Sequence, residues 1–190
     1  LAAWAVLLLA IGFNVLPTGA LAQRAHIAPE AATGHSEKSL ARAKSYMVSA
    51  ANPLAVEAGI RVLQEGGSAV DAAIAVQLVL NLVEPQSSGI GGGAFLLHWN
   101  AETKELKTYD GRETAPAAAR PDRFLRDGRR IPFDEAVHSG LSIGLPGLVR
   151  LLEDVHRRHG KLPWARLFEP AITLAENGFP VSPRLNLLLT

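Results

Sequence analysis

The chain has 190 residues, of which 48% are hydrophobic and 19% are charged, and its formal net charge is +1. This length is sufficient for one domain or for part of a larger one, and the near-neutral charge gives no reason to expect a nucleic-acid partner. The absence of cysteine excludes disulfides, a thiol nucleophile and thiolate metal sites within this span. The six histidines show no metal-binding spacing, so neither a metal nor a cofactor is predicted.

The first segment, residues 1–22, is an apolar run followed by Pro17, Gly19 and a small-residue pattern that ends at Ala22. This pattern is typical of a signal peptide cleaved after Ala22, and it predicts a periplasmic or secreted protein. An N-terminal membrane anchor is the alternative, although the run is shorter than the ~20 apolar residues that a spanning helix needs. Because no initiating Met or basic segment precedes the run, we expect the first residues of the precursor to be missing.

Residues 23–44 are rich in small and charged residues without periodicity, which predicts a flexible mature N-terminus. Residues 46–49 are predicted to form a short strand, and a helix follows. Asn52 suits the N-cap of that helix, and Gly66 lies just past its end. Apolar spacing predicts a core-facing stripe that consists of Val56, Ile60 and Leu63.

A second helix is predicted to begin after Ser68 and to extend to about Leu82. Asp71 lies three residues after Ser68, as in a capping box, and the helix is apolar nearly all round, which predicts burial on several sides. Asp71 is also a candidate catalytic acid. A carboxylate that caps the positive end of a helix is the commoner role, so we interpret Asp71 as a cap.

The stretch 84–116 contains the candidate site. Glycines at positions 89, 91, 92 and 93 precede two strand-like runs, residues 94–99 and 106–109, which predict a β-hairpin. A phosphate-binding loop is disfavoured, because such loops follow a strand and open a helix. The glycines either allow close packing of a buried strand or let the backbone approach a ligand, and the sequence leaves both possibilities open.

Arg112 is the strongest binding candidate in the chain. It follows the second predicted strand, where its planar guanidinium could bind a carboxylate through two hydrogen bonds. From spacing alone, a structural ion pair with Asp110 or Glu113 is favoured over that role. No Ser-His-Asp order and no close pair of catalytic carboxylates stands out.

Beyond the hairpin, residues 116–132 predict an exposed connection and residues 139–147 a strand followed by a turn. An amphipathic helix is then predicted from Leu148 to Gly160. Its predicted core stripe consists of Leu148, Leu151, Leu152 and Val155. On its exposed side, ion pairs at i, i+4 spacing are predicted for Arg150–Asp154 and Glu153–Arg157. The order helix, helix, strand, strand, helix, helix predicts an α+β fold with helices packed on an antiparallel sheet. The apolar C-terminal end lacks a cap, and we expect the chain to be part of a larger domain.

Five motifs, in this order, resemble the gamma-glutamyltransferase (gamma-glutamyltranspeptidase) family: NPLA at 52–55, GGSAVDAAIA at 66–75, SGIGGG at 88–93, DGRETAP at 110–116 and GLPG at 144–147. The resemblance extends over residues 45–190. It implies an N-terminal-nucleophile (Ntn) hydrolase with an αββα sandwich, of which this chain is the N-terminal part of the large subunit.

The resemblance also implies an activity. Members of the family are secreted precursors that cut themselves into a large and a small subunit. They transfer the γ-glutamyl group of glutathione to water or to an amino acid or peptide acceptor, through an acyl-enzyme on a threonine. Arg112 matches the family arginine that binds the α-carboxylate of the γ-glutamyl substrate, and this match overrides the structural ion pair. Thr190 does not match the nucleophile motif, so no catalytic residue is assigned and the chain alone is expected to be inactive.

Two alternatives remain at this point. A cephalosporin acylase is similar to the family but takes a glutaryl side chain, which lacks the α-amino group. A non-catalytic secreted binding module belongs to a different class. A Thr-Thr-His-like processing motif further along the reading frame favours the enzyme, and its absence from a complete chain would exclude it.

Overall fold

The computed structural model describes residues 39–189. All of these residues belong to one compact unit. The predicted signal peptide, its cleavage after Ala22 and most of the predicted flexible segment 23–44 therefore lie outside the described residues. In the described part of the chain, no helix is both long enough and apolar enough to cross a membrane.

Residues 39–189 contain six α-helices and two short antiparallel hairpins, and two 3₁₀ turns connect some of them. The helices are α1 Pro53–Gln64, α2 Ala69–Val83, α3 Phe133–His138, α4 Leu148–His159, α5 Glu169–Asn177 and α6 Pro183–Leu189. The strands are β1 Ala94–Asn100, β2 Glu105–Gly111, β3 Leu125–Arg126 and β4 Arg129–Arg130, and the 3₁₀ turns are Gly140–Ser142 and Trp164–Phe168.

Helix α1 begins and ends as predicted. The N–H of Leu54 donates to Oδ1 of Asn52 at 3.0 Å, which satisfies one of the free donors of the first turn. Gly66 follows the helix with φ of +89°, a conformation that a residue with a side chain rarely adopts.

The predicted core stripe of α1 is wrong for Val56 and Ile60 and confirmed in part for Leu63, which packs against the buried cluster. Val56, Ile60 and Leu63 are only half-buried. The buried face consists of Ala55, Ala58, Gly59 and Val62. Small residues face α2 because the two helices approach closely, and a Cβ placed on Gly59 would lie 2.7 Å from Cγ2 of Val76.

Helix α2 is the buried centre of the unit, as its all-round apolar character predicts. Ile74, Ala75 and Val79 are fully buried, and α2 packs against α1, α4 and α5. The capping box is confirmed. Oγ of Ser68 accepts from the N–H of Asp71 at 3.1 Å, and Oδ2 of Asp71 accepts from the N–H of Ser68 at 2.7 Å.

The predicted β1–β2 hairpin is confirmed, with Ala94 opposite Gly111 and Asn100 opposite Glu105. One face of this hairpin packs on α4 and the core, through Ala94, Leu96 and Tyr109. The other face is exposed. Its large apolar side chains are Phe95, Leu97, Trp99 and Leu106, and they lie beside Thr108 and Asp110. The structure is therefore α+β with helices packed on an antiparallel sheet, as predicted.

Two predicted strands are absent from the described residues. Residues 46–49 are not a strand, since no strand of the described range lies beside them to complete a ladder. Residues 139–147 form the 3₁₀ turn Gly140–Ser142 and a single bridge between Leu145 and Thr114. Serine side chains there favour local hydrogen bonds over a ladder, as Oγ of Ser139 does by accepting from the N–H of Leu141 at 3.2 Å.

Helix α4 has the predicted buried stripe, and Gly160 ends it. The predicted ion pair between Glu153 and Arg157 is present at 3.4 Å. The predicted pair between Arg150 and Asp154 is wrong, because Arg150 lies 3.3 Å from Glu153 instead. Asp154 pairs instead with Arg157 at 3.3 Å and with Arg158 at 2.9 Å.

Candidate functional site

Arg112 lies directly after β2, at the end of the hairpin. Its backbone N–H donates to Oδ1 of Asp110 at 2.9 Å, and its Nη1 donates to the carbonyl of Gly93 at 3.3 Å. Its Nη2 lies 2.9 Å from Oε2 of Glu113, so the ion pair expected from spacing is present. The Arg112 side chain is nevertheless 52% exposed, which leaves part of the guanidinium open to a ligand.

Gly93 places the glycine-rich segment against the backbone of Arg112. A Cβ on Gly93 would lie 2.6 Å from the carbonyl oxygen of Gly111 and 2.7 Å from Cα of Arg112. Gly147 approaches the same carbonyl from the start of α4, and a Cβ there would overlap it. The carbonyl of Gly92 accepts from the N–H groups of Gly147 and Leu148, each at 3.1 Å. Two glycine-containing segments therefore enclose the backbone that carries Arg112.

The other glycines of the cluster have a different environment. A Cβ on Gly89 or Gly91 would meet nothing within 4 Å. Both residues line an open cleft of about 410 Å³, together with Gln77 and Ser88. Close packing thus accounts for Gly93, while Gly89 and Gly91 expose their backbone to a cavity.

A second cleft, of about 560 Å³, contains Arg112. Glu113 lines both clefts and so lies between them. Volumes of this order fall within the range of small-molecule sites, about 300–1,000 Å³.

The ion pair between Arg112 and Glu113 is weak enough to allow exchange of partners. Exposed pairs of this kind stabilise a protein by about 0.2–1 kcal/mol, because water screens both charges. The Arg112 guanidinium also lies 6.0 Å from the centre of the Phe95 ring, a contact worth about 0.5–1 kcal/mol at an exposed site. A ligand carboxylate that accepts two charge-assisted hydrogen bonds can compete with both contacts.

Asp71 lines neither of these clefts and is completely buried. Besides capping α2, its Oδ2 accepts from the N–H groups of Lys161 and Leu162 at 2.9 and 3.2 Å. The interpretation as a cap is confirmed and extended, since Asp71 also fixes the segment after α4. Between residues 39 and 189, no three His, Asp or Glu side chains are grouped closely enough to hold a metal ion.

A cluster that the sequence analysis missed joins the hairpin to the end of α4. Oη of Tyr109 lies 2.6 Å from Nε2 of His159, and the rings of His98 and His159 stack with centroids 4.0 Å apart. Burial lowers the pKa of His159 below its ordinary value, and the neighbouring His98, Lys107 and Arg158 lower it further. His98 and Tyr109 lie on one face of the predicted hairpin, but nothing local in the sequence indicates that His159 meets them.

The site thus consists of an open cleft with a half-exposed arginine among its lining residues. A family model described as gamma-glutamyltranspeptidase matches residues 55–190, and the chain belongs to this family. The resemblance drawn from the sequence motifs is thus confirmed.

The glutathione hydrolase proenzyme of Bacillus subtilis (strain 168) is 47% identical over 139 residues, which cover 73% of this chain and 24% of that protein. The crystal structure of Helicobacter pylori gamma-glutamyltranspeptidase matches with a TM-score of 0.74 and 37% identity, over 80% of this chain and 43% of that one. A cephalosporin acylase from Bacillus halodurans matches with a TM-score of 0.70 and 33% identity. The match covers 83% of this chain and 28% of the acylase chain.

These likenesses confirm the predicted partial Ntn-hydrolase fold. The chain spans about a quarter of the length of the curated relatives it matches, since 24% of the Bacillus subtilis protein is covered. The role of Arg112 in binding substrate stays a prediction.

Proposed function

We propose that the chain is the N-terminal part of the large subunit of a gamma-glutamyltransferase, or glutathione hydrolase. The complete enzyme cleaves the γ-glutamyl amide of glutathione and transfers the glutamyl group to water, an amino acid or a peptide through a threonine acyl-enzyme. The family match over residues 55–190 carries this proposal. The Bacillus subtilis relative is named a proenzyme, which supports processing of a precursor into two subunits.

In this proposal Arg112 binds the α-carboxylate of the γ-glutamyl group. Its position at the end of β2, its exposure to the larger cleft and its exchangeable pair with Glu113 support that role. The α-carboxylate replaces Glu113 as the partner of the Arg112 guanidinium and fixes one end of the donor. The nucleophile, whose hydroxyl would be activated by its own N-terminal amine, belongs to a later region of the family.

The small subunit is the proposed partner of the exposed hairpin face. In β1, Phe95, Leu97 and Trp99 are between 56% and 67% exposed, and they share one face with Leu106 of β2. Four large exposed apolar side chains this close together mark a packing surface. In an αββα sandwich, that face packs against a second sheet.

A periplasmic or secreted location follows from the signal-peptide pattern of residues 1–22 and is part of the same proposal. Cephalosporin acylase activity is the second candidate, because the Bacillus halodurans acylase matches with a TM-score of 0.70. The two activities differ in the donor, since only a γ-glutamyl donor carries an α-amino group. Rates of the complete enzyme on γ-glutamyl and glutaryl donors that share one leaving group distinguish them.

The test of the site is Arg112→Lys in the full-length enzyme. Lysine keeps the charge but cannot reproduce the two-pronged contact, so the KM for γ-glutamyl-p-nitroanilide should rise by roughly tenfold to a hundredfold. Self-cleavage should persist, because it does not involve the donor carboxylate. Arg150→Lys, on the exposed side of α4, is the matched control and should leave KM unchanged. A KM that Arg112→Lys does not alter would remove Arg112 from the site.

A further inference from the structure

The cleft beside Arg112 contains a second arginine. Arg123 lines the same cavity of about 560 Å³ and comes from the connection between β2 and β3. Its backbone N–H donates to the carbonyl of Arg120 at 3.1 Å, so a turn fixes its position in the chain. Apolar side chains, including Leu141 and Ile143, complete the wall.

Arg123 differs from the nearby arginines in the group that it contacts. Arg120 pairs with Asp122 at 3.2 Å, and Arg126 pairs with Glu135. Within residues 39–189, no Asp or Glu forms an ion pair with Arg123. Its guanidinium lies instead over the ring of Phe124, with Cζ 5.4 Å from the ring centre.

A cation–π contact of this kind engages the charge of the guanidinium and not its N–H donors. Arginine carries five N–H donors in one planar group, and no Asp or Glu of residues 39–189 forms an ion pair with this one. A guanidinium that contacts an aromatic ring and forms no ion pair with an Asp or Glu is suited to bind the carboxylate of a ligand.

We propose that Arg123 binds a second carboxylate of the donor, on the leaving-group side of the γ-glutamyl amide. This inference rests on the proposed function, in which Arg112 takes the α-carboxylate of the same molecule. Both cations line this one cleft, so a donor with two carboxylates would neutralise both, and a donor with a neutral leaving group would engage only Arg112. Arg123 is therefore a specificity-determining residue for γ-glutamyl peptides with an acidic leaving group.

The test compares two donors that differ only in that charge, γ-glutamylglycine and γ-glutamylglycinamide, on the full-length enzyme. Arg123→Gln should raise the KM for γ-glutamylglycine by about fivefold to tenfold and leave the KM for the amide unchanged. Arg123→Lys keeps the charge and should retain part of the preference. Arg120→Gln is the control, because Arg120 has its own carboxylate and does not line the cleft.

The possible outcomes separate the two proposals. Equal effects of Arg123→Gln on both donors would show a merely structural role, and no effect on either would show that the second carboxylate binds elsewhere. Either result overturns the inference and leaves the proposed function standing. If the full-length enzyme cleaves neither donor, the inference about Arg123 and the proposed function are both overturned. A preference for γ-glutamylglycine that declines with added salt in the unaltered enzyme, but not in Arg123→Gln, supports the inference independently.

Discussion

Oδ2 of Asp71, in the first turn of α2, accepts a hydrogen bond from the backbone N–H of Lys161 at 2.9 Å, across a sequence separation of 90 residues. The same oxygen accepts from Ser68 and Leu162. On the other side of the carboxylate, Oδ1 lies 3.6 Å from Nε2 of His156. One buried carboxylate thus connects the start of α2 with the end of α4 and the segment after it.

Replacement of Asp71 by alanine should strongly destabilise the protein. The change leaves three backbone N–H groups without their acceptor, and a buried unsatisfied donor costs about 1–3 kcal/mol. We expect the free energy of unfolding to fall by about 3 kcal/mol or more, as measured by urea denaturation of the full-length protein. Glu176→Ala, at an exposed position of α5, is the control and should change it by less than about 0.5 kcal/mol. Equal losses in the two variants would contradict the assigned role.

The neighbouring glycines of the cluster should respond differently to the same substitution. Gly93→Ala forces a methyl group against the backbone of Gly111 and Arg112, whereas Gly91→Ala meets nothing within 4 Å. Overpacking of this kind typically costs about 1–3 kcal/mol. Gly93→Ala should therefore lower the unfolding midpoint and raise the donor KM, because Arg112 shifts, while Gly91→Ala should leave the midpoint nearly unchanged. If the two variants have the same midpoint, the close approach is not important for stability.

The sequence predicted elements whose determinants are local. Asn52, Ser68 and Asp71 cap the helices that they were expected to cap, and the hairpin follows from its alternating and turn residues. The face of α1 was predicted wrongly, because burial there depends on how closely α2 approaches Gly59 and not on which residues are most apolar. Large side chains such as Ile60 are displaced to the side of such a contact.

The candidate site was predictable only in part, for a similar reason. Arg112 was found because it follows a predicted strand and matches a family motif. Arg123 was not found, because its lack of an ion pair is a result of the fold. The nearby carboxylates of Asp122 and Glu135 pair with Arg120 and Arg126 instead. Contacts between the hairpin and the end of α4 are likewise set by tertiary packing, and no spacing in the sequence encodes them.

Glu113 should contribute little to donor binding compared with Arg112. The pair that it makes with Arg112 is accessible to solvent on the arginine side, and surface pairs are worth about 0.2–1 kcal/mol, which corresponds to less than about fivefold in KM. Glu113→Gln in the full-length enzyme should therefore change the KM for γ-glutamyl-p-nitroanilide by less than that factor, in contrast to Arg112→Lys. A tenfold or larger change in Glu113→Gln would show that Glu113 contacts the donor itself or is essential for the orientation of Arg112.

His159 should make the stability of the protein fall in mild acid. Its pKa in the folded state is lowered from the ordinary value of 6.5, first by burial and then by the nearby cations, with Asp154 acting in the opposite direction. The unfolded chain therefore binds a proton more readily than the folded protein, so this contribution to stability is fully present above about pH 6.5 and is lost as the pH falls toward the folded-state pKa.

His159→Gln tests this pH dependence directly. The variant also loses the contact between Tyr109 and His159, so it should be less stable than the unaltered protein near neutral pH. The difference between the two proteins should narrow between about pH 7.5 and about pH 5.5, because only the unaltered protein has to exclude a proton from this position. Urea unfolding of the full-length proteins at both pH values measures the narrowing. His138→Gln, at an exposed position of α3, is the control, and its free energy of unfolding should change with pH as that of the unaltered protein does. If the free energies of His159→Gln and the unaltered protein differ by the same amount at both pH values, the linkage is disproved.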